Sequence, residues 1–205
     1  MLSAMPEEIG TTIDNLEDVT LTEYGDLKIY YGKLKKKVSN YESVNIFLAW
    51  SGWGKVSAAR AITRILAGKY KIDLIIFTGV AGAANKNLSQ WDIVIANEVI
   101  QHDMDARPIF EKFVLPPLKK AKLESNTFLK NWIFNSLTKS FKNGNLSRFG
   151  LIKKGLIATG DSFISEESEI KRLINELPNL EAIEMEGGAV AQVAEQEGIP
   201  WVVVR

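Results

Sequence analysis

The sequence predicts an α/β protein of three layers, with a mixed, mostly parallel central sheet flanked by helices on both sides. Three observations lead there. Residues 73–78 and 201–205 are short runs apolar on both faces, the pattern of strands buried inside a parallel sheet. Such runs alternate along the chain with segments of helical spacing. Residues 26–34 instead alternate polar and apolar side chains, which suits a half-exposed strand in an antiparallel part at one side.

Taken in order, residues 45–50 form a strand closed by Ser51-Gly52-Trp53-Gly54, and a helix spans 55–70. The strand at 73–78 ends in Gly79-Val80-Ala81-Gly82, and another strand covers 92–96. Residues 101–125, with Pro108, Pro116 and Pro117, read as a long loop. A helix follows at 126–142, then a strand at 151–158 ending in Thr159-Gly160-Asp161. Residues 166–177 are helical, and Pro178 stops them. A short strand at 182–185, a helix at 187–196, the turn Gly198-Ile199-Pro200 and a strand at 201–205 complete the chain. Lys33, Lys35, Lys36 and Lys37 read as a solvated hairpin edge that guards against edge pairing.

Composition narrows the function. A chain of 205 residues reads as one domain, 1–205, with room for a full core. Zero formal net charge gives no reason to expect nucleic acid or an anionic membrane as partner. The lack of cysteine excludes disulfides and thiol catalysis and fits a reducing, cytoplasmic setting. Residues 1–10 carry early acids and no basic, apolar leader pattern, and no apolar run approaches a membrane span.

Several motifs carry chemistry or its bland alternative. Glu184-Met185-Glu186, at a strand-to-helix junction, suits either a solvated helix start or a sugar site where a carboxylate meets a diol. Gly52-Trp53-Gly54-Lys55 lacks the Walker spacing. It is either a plain tight turn or one whose helix-start N–H groups face a ligand. Gly79-Val80-Ala81-Gly82 is a ligand-facing edge or a packing constraint. In Pro6-Glu7-Glu8 the acids either favour a helix N-terminus or supply a carboxylate that takes a proton from water. His102, the single histidine, cannot build a multi-histidine metal site and reads as a hydrogen-bonded loop residue rather than a catalyst.

Six segments, in order and spread over nearly the whole chain, carry a resemblance. They are Ala4-Met5-Pro6-Glu7-Glu8-Ile9, Ser51-Gly52-Trp53-Gly54-Lys55-Val56, Thr78-Gly79-Val80-Ala81-Gly82, Thr159-Gly160-Asp161-Ser162-Phe163-Ile164, Glu184-Met185-Glu186 and Pro200-Trp201-Val202-Val203-Val204-Arg205. Together they resemble the nucleoside phosphorylase superfamily, and most closely its 5′-methylthioadenosine/S-adenosylhomocysteine nucleosidases. The resemblance implies a nucleoside phosphorylase-like fold and hydrolysis of the bond between adenine and ribose, with no cofactor and no metal. It implies that Glu8 activates water, with Arg205 close to that water. Glu186 would bind the ribose hydroxyls and Met185 pack on the ribose. Phe163 would stack near adenine, the Ile164 backbone would bond its edge, and Gly82 would line the site. Met5 and Trp53 fall on the substrate side, Trp53 narrowing the thioalkyl pocket. His102 and Asp103 match a loop approaching a homodimer interface. The family's general acid is an aspartate a few residues beyond the arginine, in a loop followed by a closing helix. A chain ending at Arg205 is therefore expected to lack both and to be nearly inactive, since such a group contributes about 10²–10⁴-fold.

Overall fold

A computed structural model describes residues 1–35 and 44–205. Its elements are β1 (Leu2–Ser3), α1 (Pro6–Ile9), a 3-10 turn (Gly10–Asn15), β2 (Leu16–Tyr24), β3 (Leu27–Leu34), β4 (Asn45–Trp50), α2 (Lys55–Leu66), β5 (Ile75–Thr78), β6 (Gly82–Ala83) and β7 (Ile93–Gln101). After these come β8 (Lys122–Glu124), α3 (Thr127–Lys142), β9 (Ile152–Thr159), α4 (Glu167–Glu176), β10 (Leu180–Glu184), α5 (Gly187–Gln196) and β11 (Trp201–Val204).

The strands join in the order β2-β3-β4-β1-β5-β11-β7-β9-β10-β6, with β8 beside β7. Strands β4, β1, β5 and β11 run parallel, as do β7, β9 and β10, and the two blocks meet at the antiparallel pair β11–β7. The early strands β2, β3 and β4 pair antiparallel at one side, as the alternation predicts. Only Gly79, Val80 and Ala81 separate β5 from β6, and β6 pairs with β10. Those three residues form a short seam between a central strand and one end of the strand order.

Alternation along β11 and β7 builds the layers. Trp201, Val203, Val94 and Ala96 face one core with Ala61, Ile62 and Ala191 of α2 and α5. Val202, Ile93 and Ile95 face the other with Leu129 and Ile133 of α3. Phe77 is fully buried in the first core, where a side chain of its size contributes about 1.5–3 kcal/mol. Helix α4 covers β9 and β10 through Leu173, packed with Leu156, Ala158 and Leu180. Helix α3 begins where the Asn126 side chain accepts the Leu129 N–H at 3.0 Å.

Several expectations are corrected. Helix α2 ends at Leu66 rather than at residue 70, because Ala67 and Gly68 turn back onto Thr63 and Ile65. Strand β7 continues to Gln101, through an irregularity between Ala96 and Glu98, and β8 lies inside the stretch read as loop. The lysine-guarded edge is corrected at Lys33. Lys33 lies on β3, between β2 and β4, and its Nζ meets Asp18 at 3.0 Å. The edge strand is β2, eight of whose nine residues are exposed. Lys35 bonds the Asp14 carbonyl, and Lys36 and Lys37 lie outside the described residues. Among the described residues, no helix is long and apolar enough to cross a membrane.

Candidate active site

A cavity of about 300 Å³ lies where α1, the β5–β6 seam, the segment after β9 and the end of β10 converge. That volume is at the lower end for small-molecule sites. Met5, Glu8, Trp53, Gly82, Phe163, Ile164, Met185 and Glu186 all line it, so eight of the nine site residues expected from sequence share one cavity. The ninth, Arg205, lies behind the cavity wall, bound to two of its carboxylates.

Glu8 shows how backbone geometry shapes a side chain. Pro6 opens the four-residue helix α1, and Glu8 folds back over its start. Glu8 Oε2 accepts the N–H groups of Ala4 at 2.8 Å and Met5 at 2.9 Å, and Oε1 accepts the Val80 N–H at 2.9 Å. An ionised carboxylate offers about four acceptor positions, so one remains, on Oε1. The two acids of Pro6-Glu7-Glu8 thus part company: Glu7 is a solvated helix-start acid, while Glu8 is fixed in the cavity wall.

Beside that position stands Arg205, whose side chain is 1% exposed. Its Nη2 pairs with Glu184 and lies 3.3 Å from Glu186 Oε2, and the guanidinium covers the Phe77 ring. Its Nε and Nη1 have no hydrogen-bond partner among the described residues. A Cβ on Gly79 would overlap both Arg205 Nη1 and Glu8 Oε1, so a free donor and a free acceptor flank one small space.

The Gly52-Trp53-Gly54 turn works differently from the ligand-facing reading. Gly52 and Gly54 adopt φ of 81° and 89°, which glycine tolerates best, and carry Trp53 out at 63% exposure. The N–H groups at the start of α2 point at protein carboxylates: Gly54 bonds Glu186 Oε1 at 2.9 Å and Lys55 bonds Asp161 Oδ1 at 2.8 Å. The positive helix end attracts the nearest acids of the chain itself. Glu186 is thereby held from both sides. Burial pushes its pKa up, the Gly54 N–H pulls the other way, and the neighbouring Glu184 adds to the rise. Glu184 itself serves the scaffold: it accepts the N–H groups of Glu186 at 3.1 Å and Gly187 at 2.7 Å and the Thr159 hydroxyl.

The opposite wall is apolar. Phe163 is 78% exposed at the mouth, and Ile164 packs against the cluster beneath α4. His102 and Asp103 do not line the cavity. His102 is also not the hydrogen-bonded side chain expected, since its buried Nε2 has no partner among the described residues and its ring presses on Gly160. Burial lowers its pKa, which keeps the ring neutral at pH 7. Burial would raise the Asp103 carboxyl, but the Lys55 ammonium and the Asp161 N–H outweigh it and hold it below its usual range. No group of three or more His, Asp or Glu that could hold a metal occurs among the described residues. Sequence reasoning missed Val80, whose contribution is a backbone N–H without side-chain signature, and gave no role to Lys55 or Asp161.

The model of the phosphorylase superfamily matches residues 1–205. The 5′-methylthioadenosine/S-adenosylhomocysteine nucleosidase of Staphylococcus haemolyticus is 34% identical over all of this chain and 83% of its own length. The chain belongs to this nucleosidase family, within the phosphorylase superfamily. The Neisseria meningitidis nucleosidase, solved in complex with methylthio-immucillin-A, superposes with a TM-score of 0.86 at 29% identity, over 100% of this chain and 82% of that one. A futalosine hydrolase mutant of Helicobacter pylori superposes at 0.79 with 28% identity, over 100% and 86%. The nucleosidase fold thus accounts for the mixed sheet, and the six segments that carried the resemblance all lie in matched sequence.

Proposed function

We propose that the protein hydrolyses the adenine–ribose N-glycosidic bond of 5′-methylthioadenosine, S-adenosylhomocysteine or both, releasing adenine. The observation that carries this reading is the pairing of one free acceptor on Glu8 with the unpartnered Nη1 of Arg205, in a cavity shared with Glu186, Met185 and Phe163. As the C1′–N9 bond breaks and the sugar becomes oxocarbenium-like, adenine would leave with a proton taken up from solvent, and water held between Glu8 and Arg205 would add to C1′ and give its own proton to Glu8. Glu186, fixed by Gly54 and Arg205, would accept the ribose hydroxyls, with Met185 against the sugar face. Phe163 would stack on adenine, the Ile164 backbone would bond its edge, and the Gly82 backbone would complete the wall. Met5 and Trp53 would border the thioalkyl tail. The three carboxylates lining the cavity all serve as acceptors, so these residues account for the sugar and nucleophile half of the chemistry. The same reading carries a cytoplasmic homodimer, which fractionation and sedimentation would check.

The phosphorolytic alternative would place an anion against Glu8 and Glu186, which repel it. Adenine release from each nucleoside, with and without phosphate, tests the choice. Ribose-type product without phosphate is expected, and strict phosphate dependence overturns it. The likeness to a futalosine hydrolase favours a second substrate to try in the same assay, a futalosine-type nucleoside.

A further inference from the structure

We infer that Lys55, Asp103 and Asp161 form a clamp of positioning residues that sets the base-binding segment 162–164 in register with the ribose carboxylate Glu186. The inference rests on the proposed nucleosidase reading and deepens it, since none of the three residues lines the cavity.

The contacts close a ring across three elements. Lys55 Nζ, on α2, donates to Asp103 Oδ1 at 2.7 Å, after β7. Asp103 Oδ2 accepts the Asp161 N–H at 3.0 Å, after β9. Asp161 Oδ1 returns to the Lys55 N–H at 2.8 Å, and its Oδ2 lies 3.7 Å from Lys55 Nζ. One ammonium, with its side chain only 17% exposed, thus serves two neighbouring carboxylates. Without it, two like charges would face each other beside the segment they hold.

Adjacency in sequence makes the clamp more than a surface ion pair. Consecutive N–H groups divide the substrate between them: Gly54 holds Glu186 on the sugar side, and Lys55 holds Asp161 on the base side. Phe163 lies two residues beyond Asp161. The spacing between sugar and base contacts is therefore set within one peptide unit of the α2 start. Loosening the clamp should shift the base side while leaving Glu8 and Arg205 bound as they are, because neither contacts it. A displacement of about 1 Å in such a positioning element costs on the order of 100-fold.

The test reads adenine binding by calorimetry and turnover of 5′-methylthioadenosine, in the full protein. Lys55→Met should raise both the adenine Kd and KM by about 10- to 100-fold, with kcat changed far less, and Lys55→Arg should recover most of the loss. In a double-mutant cycle, adding Asp103→Asn to Lys55→Met should cost little beyond the single change. Should Lys55→Met fail to fold, Asp161→Asn, which keeps the side-chain shape, supplies the same readout. Folded variants that bind adenine as tightly as the parent, or fully additive effects, would overturn the clamp. A parent that binds adenine but releases none from any nucleoside overturns the proposed function instead.

Discussion

Gly54 holds Glu186: its backbone N–H meets Oε1 at 2.9 Å, across 132 residues of sequence. With Arg205 on the other oxygen, the carboxylate is fixed before any ligand arrives. Glu186→Ala should therefore weaken both binding and turnover. Titration with methylthio-immucillin-A checks this, and an affinity equal to the parent's would contradict the ribose role.

Glu8→Gln should lower kcat by about 10²–10⁴-fold with ligand affinity largely kept. The amide nitrogen would have to face a backbone N–H, from Val80 or from the Ala4–Met5 pair. A modest loss of thermal stability should accompany the lost turnover. Single-turnover kinetics beside a melting curve separate the two.

Gly79→Ala tests the small space between Glu8 and Arg205 directly. A methyl there would displace both groups, so kcat should fall by about 100-fold or more. Circular dichroism should remain that of the parent. Normal turnover would mean that the space is not where the nucleophile sits.

Ionisation of Glu186 gives a pH signature. Its folded pKa lies above the ordinary 4.5, chiefly through burial. The ionised group therefore costs stability above its folded pKa, and that cost is relieved as pH falls through the folded pKa towards 4.5. Acidification through the same range converts a double acceptor into a donor. Affinity for a ribose-bearing ligand should begin to fall at a pH above that of a free glutamate, while adenine alone is spared. Parallel titrations of the two ligands across pH check it.

Glu184→Ala should destabilise the fold by about 3–5 kcal/mol, because it strips the buried Arg205 of one of its two carboxylates. Denaturant unfolding measures the loss. A change under about 1 kcal/mol would show that Glu186 alone can balance the guanidinium.

Side-chain chemistry was readable from sequence and backbone chemistry was not. Glu184-Met185-Glu186 stood out as acids after a short apolar strand. Both acids line the cavity and pair with Arg205, and they differ in their backbone partners: Glu186 accepts the Gly54 N–H, while Glu184 braces its own turn. Strands β4 and β11 were visible because apolar runs mark burial. Strand β2 was missed although Val19-Thr20-Leu21-Thr22 alternates, because all but Leu16 of its residues are exposed and no buried apolar run marks it. Val80 and Gly54 contribute N–H groups that every residue but proline has. Lys55 and Asp161 meet only because the fold brings together positions 106 residues apart.

The seam at Gly79, Val80 and Ala81 has a mechanical consequence. The stretch that links β5 to β6 also supplies Glu8 with its third N–H and leaves the gap beside Arg205. Glu8 is thus aimed jointly by its own helix start, through Ala4 and Met5, and by the β5–β6 link, through Val80. Moving this link would release one oxygen of Glu8 and open the gap beside Arg205 together, so the aim of the carboxylate and the size of that space are coupled.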